Sequence, residues 1–91
     1  MAGIVALQIK IMPDSPEANL DEIKSQIEDK LKQHDAKVNK MEEQDIAFGL
    51  KAIIVTIVWQ EDKETDLAEN SIKEIEHVSS TEITDYRRAF G

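Results

Sequence analysis

The sequence contains no cysteine. That absence excludes disulfides, thiolate zinc sites, iron-sulfur clusters and a cysteine nucleophile, so metal chemistry would need carboxylates and histidines. Glycine is nearly as scarce, with three residues in 91, and no glycine-rich stretch could wrap a phosphate in backbone N–H groups. Long apolar runs are missing as well. The longest, Ile53 to Trp59, is interrupted by Thr56 and is far too short to span a bilayer. The start lacks the basic and hydrophobic regions of a signal peptide, so a cytoplasmic location without membrane contact is expected. Cations are outnumbered, giving a net charge of −8. Phosphate contacts need clustered lysine and arginine, so the balance argues against direct nucleic-acid binding and favours a basic protein partner.

With 41% apolar residues in 91, the chain can build one compact domain, residues 1–91, around one modest core. Residues 3–12 alternate, with Val5, Leu7, Ile9 and Ile11 on one face and Ile4, Ala6, Gln8, Lys10 and Met12 on the other, the pattern of a strand. Pro13-Asp14-Ser15-Pro16 ends it, because proline cannot donate to a ladder. Asn19 with Glu22 forms a capping pattern, and Leu20, Ile23, Ile27 and Leu31 fall on one stripe of a helix. Lys30 and Lys32 occupy its last turn, where the helix dipole prefers cations. Ala36 to Met41 alternates weakly and reads as a polar edge strand. Leu50 to Trp59 is apolar on both faces, as a central strand requires. Asp66 with Glu69 repeats the capping pattern ahead of a second, shorter stripe, Leu67, Ala68, Ile72 and Ile75. Val78 to Tyr86 is β-prone and polar, suiting another edge.

The order β-α-β-β-α-β, with apolar first and third strands and polar second and fourth, selects an arrangement. In a ferredoxin-like α+β sandwich the spatial order is 4-1-3-2, which places the polar strands at the edges and both helices on one face of a four-stranded antiparallel sheet.

Little in the chain points to catalysis. His34 and His77 each follow a helix, share no metal-ligand spacing, and read as structural or solvated. No serine lies in a nucleophile elbow. Glu42-Glu43 and Glu61-Asp62 lie beside strand ends or turns, where solvation accounts for them. No catalytic residue, cofactor site or metal site is therefore expected, and the chain reads as something other than an enzyme. An RNA-recognition reading of the topology lacks the stacking platform that strands one and three would have to carry.

Two features stand apart. The chain has four aromatics, Phe48, Trp59, Tyr86 and Phe90, and Phe48 sits between Ala47 and Gly49 at the junction of two strand-like runs. It is either a core ring, as most phenylalanines are, or a ring offered to something outside the protein. From Glu61 to Asp85 nine acids face only Lys63 and Lys73, and then Arg87 and Arg88 arrive together. They either balance local acids or serve a partner.

Met12-Pro13-Asp14-Ser15, Ile46-Ala47-Phe48-Gly49-Leu50-Lys51-Ala52, His77-Val78-Ser79-Ser80-Thr81-Glu82-Ile83 and Asp85-Tyr86-Arg87-Arg88, in that order and spacing, resemble archaeal-type translation elongation factor 1-beta. The resemblance spans nearly the whole chain and implies the same ferredoxin-like fold. It implies guanine-nucleotide exchange on elongation factor 1-alpha, the GTPase that delivers aminoacyl-tRNA to the ribosome, with GDP, GTP and magnesium bound on that partner. It also implies roles. Phe48 matches the family's wedge; Gly49, Leu50 and Lys51, with the acids around the junction, are expected beside it at the interface, and Lys51 reads equally as an exposed strand lysine. Arg88, beside Arg87, falls where the eukaryotic relatives carry a lysine that approaches the partner's magnesium site. The chain then continues through Ala89-Phe90-Gly91. The alternative reading is a ferredoxin-like regulatory or small-ligand-binding module that buries a ligand or a second copy on the open face of strands one and three.

Overall fold

In a computed structural model, residues 3–88 are described, and the tail Ala89-Phe90-Gly91 lies outside them. Six elements follow one another: β1 (Ile4–Pro13), α1 (Leu20–Lys32), β2 (Lys37–Ala47), β3 (Leu50–Gln60), α2 (Thr65–Lys73) and β4 (Val78–Arg88). All three strand pairings are antiparallel, and the sheet order is β2-β3-β1-β4. This is the expected 4-1-3-2 order seen from the other edge, and the fold is ferredoxin-like.

Alternation explains the core. Val5, Leu7, Ile9 and Ile11 of β1 lie opposite Trp59, Ile57, Val55 and Ile53 of β3, and all eight are buried against Ile23, Ile27 and Leu31 of α1 and Ala68 and Ile72 of α2. Side chains on one face repeat every second residue of a strand, so this register puts both apolar sets under the helices. On the other face Ala6, Ile54, Thr56 and Val58 are only partly covered, between polar edges.

The first helix starts as its sequence dictates, with Asn19 accepting a hydrogen bond from the Glu22 N–H at 3.1 Å. It ends in a Schellman closure: the Ala36 N–H donates to Leu31 O at 3.0 Å and the Asp35 N–H to Lys32 O at 3.1 Å, with Asp35 at φ 57°. The second helix begins differently from the expected Asp66 cap. Glu64 occupies the cap position without a side-chain hydrogen bond, and Asp66 lies in the first turn, where its charge meets the helix dipole. The chain is already bent by the Lys63 N–H bonded to Gln60 O and enters its first turn through the Leu67 N–H bonded to Glu64 O. Leu67 is consequently an exposed member of the stripe.

The edge strands are longer than their apolar content suggests. β2 continues to Ala47 because β3 supplies a ladder partner from Lys37 through Ala47, so backbone pairing carries residues that bury little. Glu42 and Glu43 therefore sit inside this strand and not beside its end. β4 likewise continues through Arg87 and Arg88.

Candidate functional site

The pair Ala47 and Leu50 closes a two-residue loop, Phe48-Gly49, between β2 and β3. Both loop residues have positive φ, 54° at Phe48 and 80° at Gly49, the signature of a type I′ hairpin turn. Glycine adopts such a conformation freely, but for an L-residue with a side chain the left-handed region costs roughly 1–2 kcal/mol. Asparagine is the usual first residue of this turn. This chain places a phenylalanine there, and the ring is 99% exposed. Of the two readings of Phe48, the structure selects the ring that faces outward. The turn thus combines local backbone strain with full exposure of a large apolar group.

Beside the turn, Leu50 is half-buried and Lys51 exposed. Lys51 Nζ lies 3.9 Å from Glu43 and 4.0 Å from Asp45, while Lys24 of α1 donates to Glu43 at 2.7 Å. The hydrogen bond from Lys24, then its charge, holds the Glu43 carboxyl below the usual glutamate range. A groove of about 220 Å³ runs between the hairpin and the loop after β1, lined by Pro13, Ser15, Pro16, Glu43, Gly49 and Lys51. That loop is tied down at the same end of the sheet. The Asp14 N–H donates to His77 O at 2.8 Å, and the Asp14 carboxylate lies 3.3 Å from His77 Nδ1. Two of the sequence motifs, around Asp14 and around His77, thus meet in space, a contact that no periodicity reveals.

Arg87 and Arg88 lie at the other end. Arg88 is opposite Val5, which is opposite Trp59, whereas the hairpin adjoins Leu50. Ten residue steps, from Gly49 of the loop to Trp59, separate the two ends, about 33 Å at ~3.3 Å per residue, in a molecule 45 Å long. The fold brings Phe48, Gly49, Leu50 and Lys51 together and leaves both arginines far from them. Arg88 donates to Glu61 at 2.9 Å, and Arg87 donates to Asp85 of its own strand at 2.9 Å.

Elsewhere the polar groups are structural. His34 Nε2 lies 2.7 Å from the hydroxyl of buried Ser71, joining the end of α1 to α2, and its ring tilts against Trp59 at 6.1 Å. Trp59 Nε1 in turn donates to Lys63 O at 3.1 Å. His77 is exposed and pairs with Asp14. Among the described residues no three acids or histidines converge as a metal site, and no helix is long and apolar enough to cross a membrane. A wider groove of about 550 Å³ lies open along α1 and β2, with Lys24, Lys32, Lys37 and Lys40 in its lining beside Glu28, Val38 and Met41.

Fold and surface together define a ferredoxin-like sandwich whose conspicuous side chains are gathered at the two ends of a long sheet. Residues 6–89 match the EF-1 guanine nucleotide exchange domain, and the chain belongs to that family. Elongation factor 1-beta of Methanothermobacter thermautotrophicus is 38% identical over 87 residues, covering 94% of this chain and 97% of the relative. The factor of Methanocaldococcus jannaschii is 38% identical over 87 residues, 93% and 96% of the two chains. That of Natronomonas pharaonis is 33% identical over 87 residues, 94% and 98% of the two. Guanine-nucleotide exchange in translation elongation is the activity these matches support, and they do not favour the regulatory or ligand-binding alternative.

Proposed function

We propose that this protein accelerates GDP release from, and GTP reloading of, elongation factor 1-alpha in the cytoplasm, with Phe48 as the wedge at one end of the sheet and Arg88 as the cation at the other. The observation that carries the reading is the Phe48 ring, fully exposed on a strained turn. An exchange factor works only if it binds the empty GTPase more tightly than the loaded one, and that weakening is reciprocal between factor and nucleotide.

Burying one phenylalanine in a pocket that is open only in the empty form contributes about 1.5–3 kcal/mol, or one to two orders of magnitude in differential affinity. The ~33 Å between the two ends means that ring and cation meet separate regions of the GTPase. The ring stabilises the empty form by burial, with Gly49, Leu50 and Lys51 around it. Arg88, with Arg87 beside it, acts where magnesium is held between phosphates and carboxylate or hydroxyl oxygens. A cation there repels the metal and offers its carboxylate ligand another partner. Without the metal, phosphate charge is poorly neutralised and nucleotide leaves. Nucleotide and magnesium belong to the partner, and the factor itself makes and breaks no covalent bond.

The direct test is release of labelled GDP from purified elongation factor 1-alpha with and without this protein. Acceleration at substoichiometric concentrations is expected. Binding without acceleration would reduce the protein to a passive partner.

A further inference from the structure

The two adjacent arginines are presented on opposite faces of the sheet, and a bulge decides which is which. Ile83 lies opposite Ile9 and Asp85 opposite Gln8, so Thr84 is an extra residue in β4. Its hydroxyl donates to the Gln8 backbone carbonyl and to Gln8 Oε1, each at 3.2 Å. Simple alternation from buried-face Ile83 would send Arg87 to the helix side and Arg88 to the open face. The bulge reverses this: Arg88 pairs with Val5 and shares the side of Trp59, while Arg87 pairs with Ala6.

On that side Arg88 meets Glu61. The pair is unequal in freedom. Glu61 sits in a turn whose backbone is fixed by its own N–H bonded to Gly3 O at 2.9 Å and by the Lys63 N–H bonded to Gln60 O at 3.1 Å. Trp59, through its bond to Lys63 O, anchors the same turn to the core. The Glu61 side chain is 32% exposed and that of Arg88 74%. A fixed carboxylate therefore holds a long, otherwise mobile side chain through one nitrogen, Nη2. A guanidinium carries five N–H donors in a planar fork, so one edge can rest on Glu61 while another engages a second anionic group.

We propose that Glu61 is a positioning residue for nucleotide exchange: with the Thr84 bulge it presents Arg88, and not Arg87, to a carboxylate or phosphate oxygen of the partner. The inference rests on the exchange reading above. An arginine suits the arrangement better than a lysine, since its planar fork holds two donor edges in fixed directions whereas an ammonium is a compact, freely rotating point charge.

A double-mutant cycle on labelled-GDP release tests it, using E61Q, R88A and E61Q/R88A, with melting temperatures as a check on folding. E61Q should slow exchange about two- to fivefold at subsaturating factor, the range open to an exposed ion pair. It should have no further effect in the R88A background, and its effect should shrink in high salt. A purely structural role of Glu61 would slow both backgrounds equally, and that result overturns the proposal. If R88A is defective while E61Q exchanges like the parent protein, positioning by Glu61 is refuted and the Arg88 reading survives. If R88A is unimpaired, the exchange role of Arg88 fails and the positioning role falls with it.

Discussion

Replacing Phe48 by asparagine separates what the hairpin does for the fold from what it does for a partner. The turn places residue 48 at φ 54°, and asparagine tolerates this region better than phenylalanine because its short polar side chain bonds locally. Relief of about 1 kcal/mol is expected, which raises the melting temperature of a domain this small by roughly 4–8 °C. No core contact is lost, because the ring is 99% exposed. The same substitution removes the only large apolar group on the hairpin tip, at a cost to docking of about 1.5–3 kcal/mol, equivalent to roughly 10- to 150-fold in exchange efficiency. Stability and activity should therefore move in opposite directions. Thermal melts followed by circular dichroism give the first quantity, and the concentration dependence of labelled-GDP release from elongation factor 1-alpha gives the second. F48A serves as the control, with melting changed by less than about 1 kcal/mol equivalent and exchange reduced as in F48N. A variant that melts lower by several degrees, or that exchanges like the parent protein, would show that the ring acts otherwise than argued here.

Other substitutions test neighbouring links. Gly49→Ala should destabilise by about 1–2 kcal/mol in denaturant titrations, and the cost is conformational, because the added Cβ would stand 3.8 Å from Pro16 Cβ in ordinary contact. R88A should slow exchange chiefly when magnesium is present, whereas R87A, on the opposite face of β4, should have the smaller effect; equal loss with chelator would contradict a metal-directed role. The Glu43 carboxyl lies below its ordinary range because of Lys24, so its contribution to stability is fully present above the unfolded-state pKa and is lost as pH falls through the lower folded value. Acid titration of melting temperature should show that loss in the parent protein, and E43Q should flatten it.

Periodicity alone carried the architecture. Strict alternation in β1, apolar richness on both faces of β3 and two helical stripes fixed which elements form and which strands must be central, because burial on one face or two leaves a direct trace in residue type. Asn19 and Glu22 marked the start of α1 for the same local reason, since a cap is made within four residues. The start of α2 was less legible, because the turn after β3, and not a capping side chain, sets it. The full lengths of β2 and β4 were hidden as well, since an edge strand is held by backbone bonds to its neighbour that are indifferent to side-chain polarity.

The exchange-domain family was legible in the order and spacing of short motifs, but their spatial relations were not. That Phe48 projects depends on a tight turn closed by Ala47 and Leu50 whose first position is not the usual asparagine. That Asp14 clasps His77, and that Arg88 shares a face with Trp59 and rests on Glu61, depend on register between residues distant in sequence. A single extra residue at Thr84 inverts the facing of everything after it. Composition and pattern determine which side chains the chain owns and which of them must be buried. Only the assembled sheet decides which exposed ones stand together and which are held about 33 Å apart, because one-residue shifts in pairing have almost no signature in sequence and reverse the direction of every side chain beyond them.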